Sequence, residues 1–145
     1  MKKPIVKMMK ISPEAKLFTK AHETDACYDI YVATSYIVHP FKTIAMSTGI
    51  RVEIPEGYEG IIRPRSGLSL NTPLRVANSP GTIDSGYRGE VKVLMTNYSD
   101  TTQLIHKGDR IAQFTVKPVL DFDIEIVDEL SETKRGTDGF GSTGA

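Results

Sequence analysis

The chain has 145 residues, 39% of them apolar and 25% charged, which is the make-up expected of one soluble domain with its own core. Eighteen basic side chains cancel eighteen acidic ones, whereas a protein that grips nucleic acid by neutralising phosphates needs a positive excess. Cys27 is the only cysteine, which excludes an internal disulfide and a multi-cysteine zinc site, and no apolar run reaches the roughly 18 residues that span a bilayer.

In chain order, lysines interrupt Ile5–Lys10, so the N-terminus does not read as a signal peptide, and a reducing, cytoplasmic setting is expected. Strands are predicted near residues 4–10, 27–33, 36–39, 43–54, 59–64, 74–78, 90–97, 102–106, 110–118 and 122–128, where β-branched and aromatic residues concentrate and partly alternate. Turn signals separate them: Pro55-Glu56-Gly57, Ser79-Pro80-Gly81, Ser85-Gly86 and Lys107-Gly108-Asp109. Residues 66–71 alone suit a short helix, with Ser66 as its expected N-cap. Many short strands at this spacing predict an all-β barrel or jelly roll. The division expected is a β-rich domain over 1–130 and a flexible, polar, Gly-rich arm over 131–145, which is too polar to order itself by burial.

Several reaction classes lack their signatures. There is no GxxxxGK(S/T) loop, no GxGxxG after a strand and no HExxH, and Gly67-Leu68-Ser69-Leu70-Asn71 lacks the second glycine of GxSxG. Five clusters remain. Asp29 is an acid in an apolar strand, in need of a cation, a donor or solvent. Arg63-Pro64-Arg65-Ser66-Gly67 ends a strand and opens the helix, either as a plain cap or as a phosphate cradle. Asn78 to Glu90 places Asp84, Tyr87 and Arg88 around a tight turn, either a charged hairpin tip or a seat for a base and sugar. Gly108-Asp109-Arg110-Ile111-Ala112-Gln113 leads a turn into a strand. The arm sets Arg135 and Phe140 among glycines, as a frayed tail or as a lid with a cation and a stacking ring.

In this order and spacing, the five clusters resemble the motifs of the trimeric deoxyuridine triphosphatases, from about residue 20 to residue 144. The resemblance implies a jelly-roll-like subunit, a homotrimer with shared active sites, and conversion of dUTP and water to dUMP and pyrophosphate with Mg2+. The product feeds thymidylate synthesis, and removal of dUTP keeps uracil out of DNA. Membrane and nucleic-acid partners are not expected; the setting is cytoplasmic, or host cytoplasm or nucleus for a viral chain.

Residue by residue, Asp84 matches the catalytic aspartate that orients and deprotonates water and touches the sugar 3′-hydroxyl. Tyr87 matches the ring that leaves no room for a 2′-hydroxyl. Asn78 and the backbone of Thr82, Ile83 and Asp84 match the reader of the uracil edge, with Lys92 a further substrate contact. Arg65, Ser66, Gly67 and Gln113 match the groups that hold the phosphate chain. Asp29 matches an acid facing magnesium-bound water or the second-motif arginine. Arg135 and Gly141-Ser142-Thr143 match residues that grip the outer phosphates, and Phe140 the ring that stacks on uracil. Cys27, Gly86 and Asp138 depart from the residues usual in the family.

The chemistry asks for these groups. Water attacking the innermost phosphorus needs placement, a base and charge neutralisation, which Asp84, magnesium and the motif cations Arg65, Arg110 and Arg135 would supply, with a structural role as the alternative for Arg110. Two alternatives stand beside this reading. A dCTP deaminase would carry an added glutamate for attack at cytosine C4, and a non-enzymatic β module would have no use for Asp84, Tyr87 and a complete arm.

Overall fold

The computed structural model describes residues 3–142 and 144. Among them, ten strands and one helix follow in chain order: β1 (Lys7–Lys10), β2 (Tyr28–Tyr31), β3 (Tyr36–Val38), β4 (Thr43–Glu53), β5 (Tyr58–Arg63), α1 (Ser66–Asn71), β6 (Leu74–Val76), β7 (Gly81–Ile83), β8 (Glu90–Asn97), β9 (Gln103–Ile105) and β10 (Arg110–Pro118). All pairings are antiparallel. One sheet runs β1-β4-β8-β6, a second runs β2-β10-β5-β7, and β3 with β9 forms a two-stranded ribbon. The all-β, jelly-roll-like class expected from the sequence is the class found.

Side-chain alternation explains the layering. Met46, Thr48, Ile50 and Val52 of β4, and Val91, Val93 and Met95 of β8, turn inward at every second position. Ile30 of β2, Ile62 of β5 and Ile111, Ala112 and Phe114 of β10 meet them from the second sheet. The one polar side chain that this layer of β4 buries is satisfied: Thr48 Oγ1 donates to the Val91 carbonyl at 2.6 Å. The pairing of β4 with β8 shifts register between Ser47 and Arg51. Gly49 sits in that bulge with φ +66°, a conformation costly for other residues, and its N–H donates to Glu90 Oε1 at 2.9 Å.

Three local expectations are corrected. The helix begins on Arg65, which takes the extended cap position without a side-chain cap bond, so Ser66 is its first helical residue rather than its N-cap. Gly81–Ile83, with Gly81 expected in a turn and the rest outside the predicted strands, is a strand because it finds β5 as a neighbour. Residues 122–128 form no strand. Their alternation is present, yet Phe122, Ile124 and Ile126 are 72%, 83% and 95% exposed, and among the described residues no strand pairs with them. The last strand ends at Pro118.

Candidate active site

Register brings three distant residues into one line. Gln113 on β10 stands opposite Asp29 on β2 and opposite Arg63 on β5. In antiparallel sheets, residues directly opposite share a face. The next positions, Ile30, Ala112 and Ile62, are buried in the core, so Asp29, Gln113 and Arg63 occupy the other face and are half-buried there. Gln113 Nε2 donates to the Pro64 carbonyl at 2.8 Å and fixes the chain as it leaves β5. One residue later, Arg65 Nε donates to Asp29 Oδ1 at 2.8 Å. Arg110 Nη1 donates to Asp29 Oδ2 at 3.2 Å. One carboxylate thus faces two guanidinium groups, and the cluster keeps a net positive charge beside the helix start.

Next to this cluster, Arg63, Pro64, Ser66, Ser69, Ser79, Pro80 and Gln113 line a cavity of about 490 Å³. Ser66 and Ser69 are three apart and present their hydroxyls on one helix face. Gly67 is exposed, and a Cβ there would touch nothing within 4 Å.

The Asn78–Glu90 segment builds a second cavity of about 260 Å³, bordered by Asn78, Thr82, Ile83, Asp84, Tyr87 and Lys92 among others. Six predicted site residues meet there. β7 is the last strand of its sheet, bonded to β5 on one side only. Its outer edge therefore presents unpaired backbone donors and acceptors. Asp84 follows immediately, at the start of a turn closed by the Tyr87 N–H to the Asp84 carbonyl at 3.0 Å. Arg88 Nη1 ties the turn from within, donating to the carbonyls of Ser85 at 2.6 Å and Tyr87 at 3.0 Å. Tyr87 Oη donates to the Glu90 carbonyl at 3.0 Å. Among the described residues no hydrogen bond or ion pair engages the exposed Asp84 carboxylate, which leaves its oxygens available.

Glu90 ends the third cluster, where the sequence reading assigns it no role; here it lines the cavity and its carbonyl holds Tyr87. Its carboxylate accepts from the Ser47 hydroxyl and the Gly49 N–H, with Lys92 Nζ at 3.8 Å. Burial pushes this carboxyl upward, but the two donors and the charges of Lys92 and Arg51 outweigh it and hold it below the usual carboxylate range. Arg63, present in the second cluster without an assigned role, lines the cavity beside Ser66.

Charge distinguishes the two sides of Asp84. On one side lies a cavity of about 560 Å³ walled by Glu56, Glu59 and Asp121, which repels phosphate. Arg65 and Arg110 lie elsewhere, on Asp29, and Arg88 is engaged by the carbonyls of its own turn. No group of three His, Cys, Asp or Glu among the described residues is arranged to hold a metal ion. Both Asp29 oxygens already face arginine.

The arm residues stand apart from both cavities. Arg135 Nε donates to the Asp138 carbonyl at 2.9 Å, and successive turns carry the chain through Ser142 to Gly144. Phe140 is fully exposed with φ +53°, and Gly141 follows with φ +88°. Thr143 lies outside the described residues.

The chain is similar to known proteins in sequence and in fold. The dUTPase family model matches residues 13–144. The deoxyuridine 5'-triphosphate nucleotidohydrolase of Picosynechococcus sp. is 46% identical over 139 residues, covering 96% of this chain and 98% of that protein. The protein of the same description from Clostridium tetani is 44% identical over 139 residues, covering 96% of each. Among solved structures, a Staphylococcus bacteriophage 80alpha dUTPase mutant with dUpNHpp aligns with a TM-score of 0.86 at 30% identity, covering 97% of this chain and 99% of that one. A dUTPase mutant from phage phi11 of S. aureus, solved to show the coordination of a structural Mg(II) ion, aligns with a TM-score of 0.78 at 28% identity, covering 86% and 97%.

Proposed function

The chain belongs to the dUTPase family, and from that premise we propose how its residues divide the hydrolysis of dUTP to dUMP and pyrophosphate. The observation that carries the assignment is the cavity shared by Asn78, Thr82, Ile83, Asp84, Tyr87 and Lys92. The free edge of β7 offers backbone donors and acceptors to the uracil edge, and Asn78 adds a side-chain amide. Cytosine reverses part of that pattern and leaves buried polar groups unpaired, which is heavily penalised. Thymine brings a methyl group against the backbone wall. Asp84 holds and deprotonates the attacking water, and Tyr87 packs on the deoxyribose.

The phosphate chain runs to the Arg65, Ser66, Gly67 and Gln113 side, since the opposite wall of Asp84 is acidic. Magnesium is the cofactor, and when bound it would supply positive charge to offset the negative charge of the triphosphate. The residues present suit an ion carried on the nucleotide rather than caged by side chains. Asp29, whose oxygens already serve Arg65 and Arg110, would hold such an ion only through water.

Three copies complete the sites. Two features support this: the motif residues of one chain fall into two separate cavities, and the apolar stripe of Phe122, Ile124 and Ile126 lies uncovered. Residues 131–145 then act as an arm, with Arg135, Gly141 and Ser142 on the outer phosphates and Phe140 on the base, while 1–130 carries the fold.

Pyrophosphate release from dUTP, dCTP, dTTP and UTP tests the assignment. Turnover confined to dUTP is the expected result. Ammonia from dCTP, or equal turnover of all four, overturns it. Light scattering is expected to give three times the mass of one chain.

A further inference from the structure

Most glycines in the turns around the site have open space where a side chain would be: a Cβ at Gly67 or Gly86 meets nothing within 4 Å. Gly89 is different. A Cβ built there falls 2.3 Å from Tyr87 Oη, 2.5 Å from Cζ and 2.9 Å from Cε2. Real Cβ atoms essentially never approach closer than 3.0 Å. The backbone at Gly89 does not adopt positive φ, so conformational freedom is not what the position requires. What it requires is the volume now filled by the tyrosine ring.

The ring is held at two points. It lies over the bare Cα of Gly89, and its hydroxyl donates to the Glu90 carbonyl at 3.0 Å. Glu90 is itself fixed through its carboxylate to Ser47 and Gly49 of β4. Tyr87 is half-exposed and lines the cavity that Asp84 also lines. We propose that Gly89 is a positioning residue for sugar selectivity: by lacking a side chain it seats Tyr87 at the depth where the ring blocks a ribose 2′-hydroxyl. This rests on the reading of Tyr87 as the deoxyribose wall and names the residue that sets where that wall stands.

A methyl group at residue 89 clashes with the far end of a half-exposed side chain, not with the core. The ring swings aside, and the fold survives. A displaced wall no longer rejects one extra hydroxyl, and rejection of that kind depends on contact geometry. Gly89→Ala is therefore expected to raise the UTP-to-dUTP ratio of kcat/KM about tenfold or more, chiefly by allowing UTP to turn over, with little change in the unfolding midpoint.

A double-mutant cycle decides the matter. Gly89→Ala, Tyr87→Ala and the double variant are compared for the UTP-to-dUTP ratio and for the unfolding midpoint. Tyr87→Ala is expected to erode discrimination, and adding Gly89→Ala to it is expected to change the ratio by less than about twofold, because the clash partner is gone. Should Gly89→Ala alone fail to fold while the double variant folds normally, the clash with the ring is shown directly. If Tyr87→Ala erodes discrimination but Gly89→Ala retains it, or if the two effects simply multiply, the role of Gly89 is refuted while that of Tyr87 stands. If Tyr87→Ala leaves discrimination intact, the underlying reading of Tyr87 is wrong.

Discussion

The Asp29 carboxylate accepts the Arg65 Nε–H at 2.8 Å across 36 residues of chain, and Arg110 approaches its second oxygen at 3.2 Å. The acid sets the direction of the Arg65 guanidinium while leaving the cluster positive. Asp29→Asn keeps the shape but places two guanidinium groups side by side without a counter-charge. We expect a loss of about 1–3 kcal/mol in stability by urea unfolding. Turnover should suffer more: a misplaced phosphate ligand lowers kcat/KM for dUTP by about 10²-fold. Unchanged kinetics in a folded variant would show that Arg65 is positioned by something else.

The elements of this arrangement differ in how far sequence alone reveals them. Asp29, Arg65 and Gln113 each stand out as polar groups in or beside strands. That Gln113 lies opposite both Asp29 and Arg63 is a matter of register, and register is set by pairing with distant strands rather than by local pattern. Gly81–Ile83 is too short to announce itself between Pro80 and Asp84; only its bonds to β5 make it a strand. Phe122, Ile124 and Ile126 show the converse. Their alternation says which side is apolar, but pairing needs a neighbour, and the described residues of the chain supply none. At the helix start, a preference for serine caps pointed to Ser66, whereas the extended backbone of Arg65, φ −95° and ψ 134°, marks the boundary one residue earlier. Gly89 was visible as a letter, but its purpose was not, because the ring it accommodates folds back over it.

Asp84 is exposed, adjoins the free edge of β7 and has its carboxylate oxygens available. Asp84→Asn preserves the turn, since the backbone bond from Tyr87 does not involve the side chain. A general base contributes about 10²–10⁴-fold, so kcat is expected to fall by that order. A non-hydrolysable dUTP analogue should still bind with affinity within a few-fold of the parent by calorimetry. Near-parental turnover would remove Asp84 from the catalytic role.

Glu90 predicts a pH dependence of stability with a definite sign. Its carboxyl titrates lower in the folded chain than in the unfolded one. A depressed folded value stabilises above the unfolded carboxylate pKa, about 4.3, and that stabilisation disappears as pH falls through the folded value. The stability difference between the parent and Glu90→Gln, from unfolding at fixed protein concentration, should be largest at pH 6–7 and shrink below about pH 4. A difference that stays constant across that range would mean that the Ser47 and Gly49 contacts do not depend on the charge. The Lys7–Glu53 pair also lowers its acid, but it is solvent-exposed on the sheet edge and serves as the weak comparison.

Removal of the arm separates fold from function. Its described residues bond only within their own turns, Arg135 to Asp138 and onward to Gly144, and Phe140 stacks on nothing. Among the described residues of 132–145 no hydrogen bond or ion pair reaches the β-rich domain, so the unfolding midpoint and the oligomeric mass of the deletion variant should match those of the full chain. Closure over nucleotide must order backbone at roughly 1–2 kcal/mol per residue, and only contacts to phosphate and base offset that cost. On the proposed reading, Arg135 would supply a charge for the outer phosphates, and Phe140, already at positive φ, would supply a ring that excludes water from the base. Deletion is therefore expected to abolish dUTP hydrolysis, whereas Phe140→Ala weakens it and Phe140→Tyr retains most of it. A truncated enzyme that hydrolyses dUTP at the full-chain rate would show that the two cavities suffice without a lid.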